Sequence, residues 1–345
     1  MKLILPILLG TAHALNDFFS GFILATYSNE LSGESSTTLF LIYGALAFGG
    51  QIPIAIIINR GIDLKRATLF AISLLGFGII SSYGNSPTLT IMTIGIGSAL
   101  LHVSAGTWVL KIAQQQVGIT GIFVAPGVAG LTLGGILGSQ NLTNIPLFTL
   151  IIGIALIISI WITSKSYNGS QRAEKSTASI EFDRHDGLML LILAAICLRS
   201  LIWDIINLSY SGNNQNLILA IGLSAFIGKL LGGFLSDALG WKRWIQISLP
   251  LSSVFLVFFG DNTLAICTGA ALLQSTTPVM VHLMYRVFPK EPAIAIGMTL
   301  GLGILLAGLP TYLPIVLKNL NFILIICCLV LPLYAWWLVR LIKKN

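Results

Sequence analysis

Apolar residues come in twelve runs along this chain, each long enough to cross a bilayer as a helix. Polar residues collect in the short gaps between them. A crossing helix needs about 20 residues. The pattern predicts spans over residues 3–27, 38–58, 67–83, 89–110, 117–137, 145–163, 188–210, 216–235, 243–259, 264–285, 293–313 and 322–341. Lys2, a short apolar stretch and Ala12-His13-Ala14 also resemble a secretion leader with its cleavage site. Apolar character continues through residues 18–27, so the first run is expected to persist as a helix. The longest polar stretch, 164–187, follows the sixth run and includes Lys165, Arg172, Lys175, Asp183, Arg184 and His185. It reads as a solvated cytoplasmic linker between an N-terminal six-helix bundle (1–163) and a C-terminal one (188–345). No other segment has room for a soluble catalytic or sensory output unit.

Composition agrees with an all-α membrane protein of two pseudo-symmetric bundles. Charged residues make up 9% of the 345 and apolar ones 55%, with a mean hydropathy of +0.91. A soluble protein carries roughly 25% charged residues. A cytosolic enzyme, a disordered chain and a nucleic-acid binder are excluded, despite a net charge of +7. With a cytoplasmic N-terminus, 16 of the 19 Lys and Arg fall at inner helix ends and loops. Only Lys318 falls outside, and Arg199 and Lys229 lie within spans. By the positive-inside rule both termini are cytoplasmic and the protein sits in the cell membrane. Cys197, Cys267, Cys327 and Cys328 lie within apolar runs and read as small core residues.

Two inner loops rhyme. After the eighth helix the chain reads Gly233-Phe234-Leu235-Ser236-Asp237-Ala238-Leu239-Gly240-Trp241-Lys242-Arg243. After the second it reads Asn59-Arg60-Gly61-Ile62-Asp63-Leu64-Lys65-Arg66. The first of these resembles the loop signature of the major facilitator superfamily: glycine, three residues, aspartate, two residues, glycine, then basic residues. The second has Asn59 in place of the aspartate. Gly233 would let a neighbouring helix approach closely. Asp237, at a helix C-terminus, needs Lys242, Arg243 or the N-terminus of another helix to offset the dipole. The resemblance implies that Gly233, Asp237, Gly240, Lys242 and Arg243 lock one conformation of a transporter, and Lys229 reads as a further gate contact. His13-Ala14-Leu15-Asn16-Asp17, and the glycine-rich stretch from Pro126 to Gly135, resemble the fosmidomycin-resistance-like branch. That branch implies proton-coupled export of small compounds.

An ionisable side chain inside a span is costly and marks a functional candidate. His13, Asp17, His102, Arg199, Asp204 and His282 fall on helices 1, 4, 7 and 10, which line the central cavity in the superfamily. His13, Asn16, Asp17 and Ser20 are spaced to share one helix face. Arg199 and Asp204 lie about 140° apart around their helix, so they should seek partners elsewhere, Arg199 first of all at Asp17. Asp17 or Asp204 could load and release a proton, with a histidine as relay. Pro278 is expected to kink helix 10.

These features predict a secondary transporter working by alternating access. It would be a monomer that needs no cofactor and moves a small solute with protons, export being favoured over uptake. No phosphate-binding loop of the Walker type occurs. Arg199 suits an anionic or zwitterionic solute. Transition-metal transport is an alternative through His13, Asp17, His102 and His282. It is disfavoured because His102 and His282 read as too near the cytoplasmic helix ends to meet the pair on helix 1. A polytopic membrane enzyme would need a surface catalytic cluster, which no loop supplies.

Overall fold

Inside lipid each backbone N–H and C=O must find its partner within its own segment, so an apolar run of bilayer length folds as a helix. The computed structural model describes residues 3–31, 33–84, 86–140, 142, 144–165, 184–210 and 214–343, with the backbone alone at 184, 185 and 343. Residues 166–183 of the expected linker, and the side chain of His185, lie outside this description.

Each predicted run is a helix. In the first half these are α1 (Ile4–Glu30), α2 (Gly33–Ile58), α3 (Leu64–Ser82), α4 (Pro87–Ala113), α5 (Val117–Gly138) and α6 (Ile145–Ser164). In the second they are α7 (Arg184–Tyr210), α8 (Gln215–Leu239), α9 (Trp241–Phe258), α10 (Thr263–Val287), α11 (Pro292–Tyr312) and α12 (Leu320–Lys343). Local chemistry sets several starts. Asp63 caps α3 by accepting from the Arg66 amide at 2.9 Å, and Asn262 caps α10 through the Leu264 and Ala265 amides. Pro87, Pro146 and Pro292 sit in first turns, where a missing N–H costs nothing.

The helices depart from the predicted spans at three places. Helix α2 begins at Gly33, ahead of residue 38, and Ser36, Thr37 and Thr38 are accommodated in it with their hydroxyls bonded to carbonyls one turn back. Among the described residues eleven helices are apolar and long enough to cross a membrane, and α9 is the exception. Its serines are satisfied sideways: Ser252 donates to the Gly269 carbonyl at 2.7 Å and Ser253 to that of Cys328 at 2.6 Å. Helix α10 breaks at Ser275–Thr276, and Pro278 lies in the first turn of its second piece.

Glycines set the closest approaches. Gly130, Gly134 and Gly138 of α5 press on the backbone of Ala14, Phe18 and Phe22 of α1, where any added methyl would overlap. Gly228 and Gly232 of α8 do the same to Ala271 and Ser275 of α10. Two seams join the first six helices to the last six. Along α5 and α8, Gly121 meets the Lys229 carbonyl and Gly222 meets Thr132. Along α2 and α11, each helix widens into a π-turn, at Ala45–Gly49 and Gly297–Leu302. Gln51 bridges the second seam, donating to the carbonyls of Ala47 (2.9 Å) and Leu300 (3.2 Å).

The outer surface is that of a lipid-embedded body. Phe148, Ile151, Ile154 and Ile158 on α6 and Leu329, Leu333 and Trp336 on α12 stand exposed. At the end bearing the basic loops, tryptophans meet cations: Lys165 lies 3.6 Å from the Trp161 ring and Arg340 3.3 Å from that of Trp336.

Candidate functional site

One face of α1 carries His13, Asn16 and Ser20, all buried, with His13 turned to α5 and Asn16 to α4. His13 Nε2 lies 3.1 Å from Asp17 Oδ2, and His102 Nε2 of α4 lies 3.8 Å from Asp17 Oδ1. The two imidazoles stand edge to face with ring centres 4.5 Å apart. Each ring is anchored by its other nitrogen. His13 Nδ1 donates to the Phe123 carbonyl at 2.9 Å, and His102 Nδ1 donates to the Ser98 carbonyl at 2.8 Å. A carbonyl can only accept, so both Nδ1 atoms carry hydrogen. Asn16 holds the carboxylate, donating to Asp17 Oδ1 and to Ser98 Oγ at 2.9 Å each. Tyr43 of α2 lies beside Ser20 and Ser98, within electrostatic reach of Asp17.

His102 therefore does meet the pair on α1, against the expectation from sequence. Helix α4 runs on to Ala113, past the predicted end at 110. His102 thus lies eleven residues, roughly 16 Å, from the basic end of its helix. His13 is nine residues, roughly 14 Å, from the basic end of α1. The two sit at one depth. His282 stays apart, 3.5 Å from Thr120 Oγ1 on α5 and edge-on to Tyr285.

Arg199 does not pair with Asp17. Its Nη1 donates to Gln274 Oε1 at 2.9 Å and Thr277 Oγ1 at 3.0 Å, and its Nη2 to Ser200 Oγ at 3.0 Å. All three acceptors are neutral, Nε has no hydrogen-bond partner, and the side chain is buried. Among the described residues Arg199 makes no ion pair, with Asp204 or any other carboxylate, although Asp204 is within electrostatic reach. Asp204 lies toward the opposite end of α7, its carboxylate beside Gly308 of α11 and in electrostatic reach of Tyr312. Lys229, expected at the gate with Asp237, is instead coupled electrostatically to Asp17, Arg199 and His102. It makes no hydrogen bond or ion pair with any described residue.

Asp237 takes the helix-terminus partner, not Lys242 or Arg243. Its Oδ1 and Oδ2 accept from the amides of Val117 and Gly118, at 2.8 Å each, at the start of α5. A carboxylate on two free N-terminal amides is favourably placed for the dipole. Gly233 makes room, since a methyl there would sit 3.0 Å from Gly118 Cα. Gly240 turns the chain into α9 with φ +84°, open only to glycine. Lys242 and Arg286 flank the Trp241 ring at 5.3 and 5.7 Å. Nearby, Gly106 of α4 meets Ile296 of α11, so helices of the two halves touch at several points of the basic end. Replacing Asp237 with alanine orphans two amides. Hydrogen exchange at Val117 and Gly118 should quicken at least tenfold, as expected for a charged hydrogen bond of about 1.5–3 kcal/mol.

Neither a family model nor a curated protein sequence matches the chain. Solved structures do. The crystal structure of a major facilitator superfamily transporter, FucP, in the outward conformation superposes with a TM-score of 0.72. The match covers 98% of this chain and 99% of that one at 12% identity. The chain has the major facilitator superfamily fold. A second match is an asparagine-to-alanine variant of the E. coli fucose:proton symporter FucP, with TM-score 0.71, 12% identity and coverage of 97% and 98%.

In this superfamily fold the site draws on residues that the sequence reading passed over or took for packing. Gly127 of α5 leaves space for the pair on α1, since a methyl there would collide with His13 Nε2 and Asp17 Oδ2. Gln274 and Thr277 meet at 3.0 Å across the break in α10 and were legible in the sequence only as polar residues beside Pro278.

Proposed function

We propose that this chain is a secondary active transporter that carries a small anionic or zwitterionic solute by alternating access, coupled to protons, and works in export. One observation carries the coupling. With both Nδ1 hydrogens committed to carbonyls, a neutral His13 aims the lone pair of Nε2 at a carboxylate oxygen 3.1 Å away. Two lone pairs opposed across that gap repel, so the group calls for a cation, and a proton is the smallest that fits. Loading it neutralises a charge that is costly at mid-membrane. Tilting the two bundles, 1–163 and 188–345, about the site would expose it to one aqueous side and then the other.

The solute's charge follows from Arg199 and Lys229. Both are cations within spans, and neither has an ion-pair partner among the described residues, so an anionic group between the halves would compensate them. The sixteen-to-one distribution of basic residues supports cytoplasmic termini, and Asp237 on the start of α5 supports a clasp that shuts the cytoplasmic end. The protein is proposed to act as a monomer.

Reconstitution into liposomes with an imposed pH gradient tests this. A panel of small carboxylates, amino acids and phosphonates is screened first by thermal stabilisation, which reports molecules that favour the folded protein. At least one should stabilise the native chain, accumulate against its gradient when the pH step is applied, and bind at least tenfold more weakly to Lys229→Gln. Flux indifferent to the pH step would overturn the coupling, and a stabilising set made only of cations would overturn the solute class.

A further inference from the structure

We propose that His13, Asp17 and His102 together form a binding site for a divalent first-row transition cation. The inference rests on the coupling reading to one extent, since the metal would fill the gap there assigned to a proton.

The donor set is two imidazole nitrogens and one carboxylate, and their nearest ligand atoms lie within 4.8 Å of one another. This combination, with open positions left over, suits divalent iron, cobalt, zinc and their neighbours. A metal with ligands at about 2.0–2.2 Å in tetrahedral array needs its donors about 3.4 Å apart. His13 Nε2 and Asp17 Oδ2 stand at 3.1 Å already, and His102 Nε2 lies 3.8 Å from the other carboxylate oxygen, Oδ1, and within 4.8 Å of the other donors. Closing the remaining gap between the imidazoles takes a movement of about 1 Å.

The surroundings are those of a metal site as well. A ligating histidine usually donates its second ring nitrogen to a carbonyl or carboxylate, which fixes the ring and directs the free lone pair. Both histidines here do so, to Phe123 and Ser98 on two different helices. Asn16 steadies Oδ1, which leaves Asp17 Oδ2 free to ligate. Gly127 keeps α5 from filling the space. Three protein ligands leave at least one position for water or an anionic donor of the solute.

Cobalt(II) serves as the probe, titrated alone into the full chain in detergent and read by its visible ligand-field absorption. The expected result is one cobalt per chain, with bands typical of nitrogen and oxygen ligation. Asp17→Asn and His102→Ala should each weaken binding at least tenfold, while His282→Ala keeps the bands. His102→Gln, close to histidine in size, covers the case in which His102→Ala fails to fold. Absence of bands, or bands that survive in a folded His102 variant, overturns the site. Flux measured without cobalt stands separately: gradient-driven transport by a chain that binds no cobalt overturns this inference alone. Cobalt binding by a chain that transports nothing upholds it and overturns the transport reading.

Discussion

Asp17→Asn is expected to abolish gradient-driven accumulation while leaving solute exchange across the liposome membrane intact. The substitution keeps the shape of the side chain, and its amide oxygen can still accept from Asn16. What it removes is the carboxylate, 3.1 and 3.8 Å from two imidazoles, that is proposed to gain and lose the coupled proton. Each pH unit of gradient is worth about 1.4 kcal/mol per coupled proton, or about tenfold accumulation. The native protein should therefore concentrate its solute roughly tenfold further for each added unit, and the variant not at all. Exchange without net movement needs only the turning of the loaded carrier, so it separates a lost coupling from a lost fold. Accumulation that still follows the pH step in Asp17→Asn would remove this residue from the proton path.

The largest effect on stability is expected at Gly134, and the contrast with its neighbour makes it informative. Gly134 lies against the backbone of Phe18, with the Phe18 carbonyl carbon 2.7 Å from where a methyl would stand. Backbone cannot swing aside as the tip of a side chain can, so Gly134→Ala must push α1 off α5. Overpacking costs typically about 1–3 kcal/mol, and here the upper end is expected. Displacing α1 also moves His13 and Asp17 relative to Phe123 and Gly127. Gly135 has nothing within 4 Å of its would-be methyl. There alanine should be neutral, or stabilising by up to about 1 kcal/mol through its better helix propensity. Thermal unfolding of the two purified variants checks both. Equal midpoints would mean that the α1–α5 contact is looser than its geometry.

Much of this was legible in the sequence because lipid imposes a simple rule. Length and apolarity alone give twelve helices, with ends mostly within a few residues of expectation, the start of α2 at Gly33 being a larger shift. The shared face of His13, Asn16 and Asp17 follows from helical spacing. What spacing cannot give is which helix lies opposite. Arg199 was expected at Asp17 and meets Gln274 and Thr277, because neutral side chains on a kinked helix carry no signal that a charge would seek them. His102 was placed at the wrong depth because three residues at the end of α4 were counted as loop. Lys229 was assigned by its distance from Asp237 along one helix, and that distance says nothing of the charges on other helices, Asp17 among them, that lie within its electrostatic reach.

The two seams between the halves are held by different forces. On one side a carboxylate grips the start of a helix. On the other, the bridge is the uncharged amide of Gln51, set between Gly297 and Gly301. Raising ionic strength should weaken chiefly the first, whereas added bulk would disturb both, at Gly121 and Gly222 as much as at Gly297 and Gly301. The two flanks should therefore differ in their response to salt, so that which one yields first in the proposed cycle becomes a question ionic strength can answer.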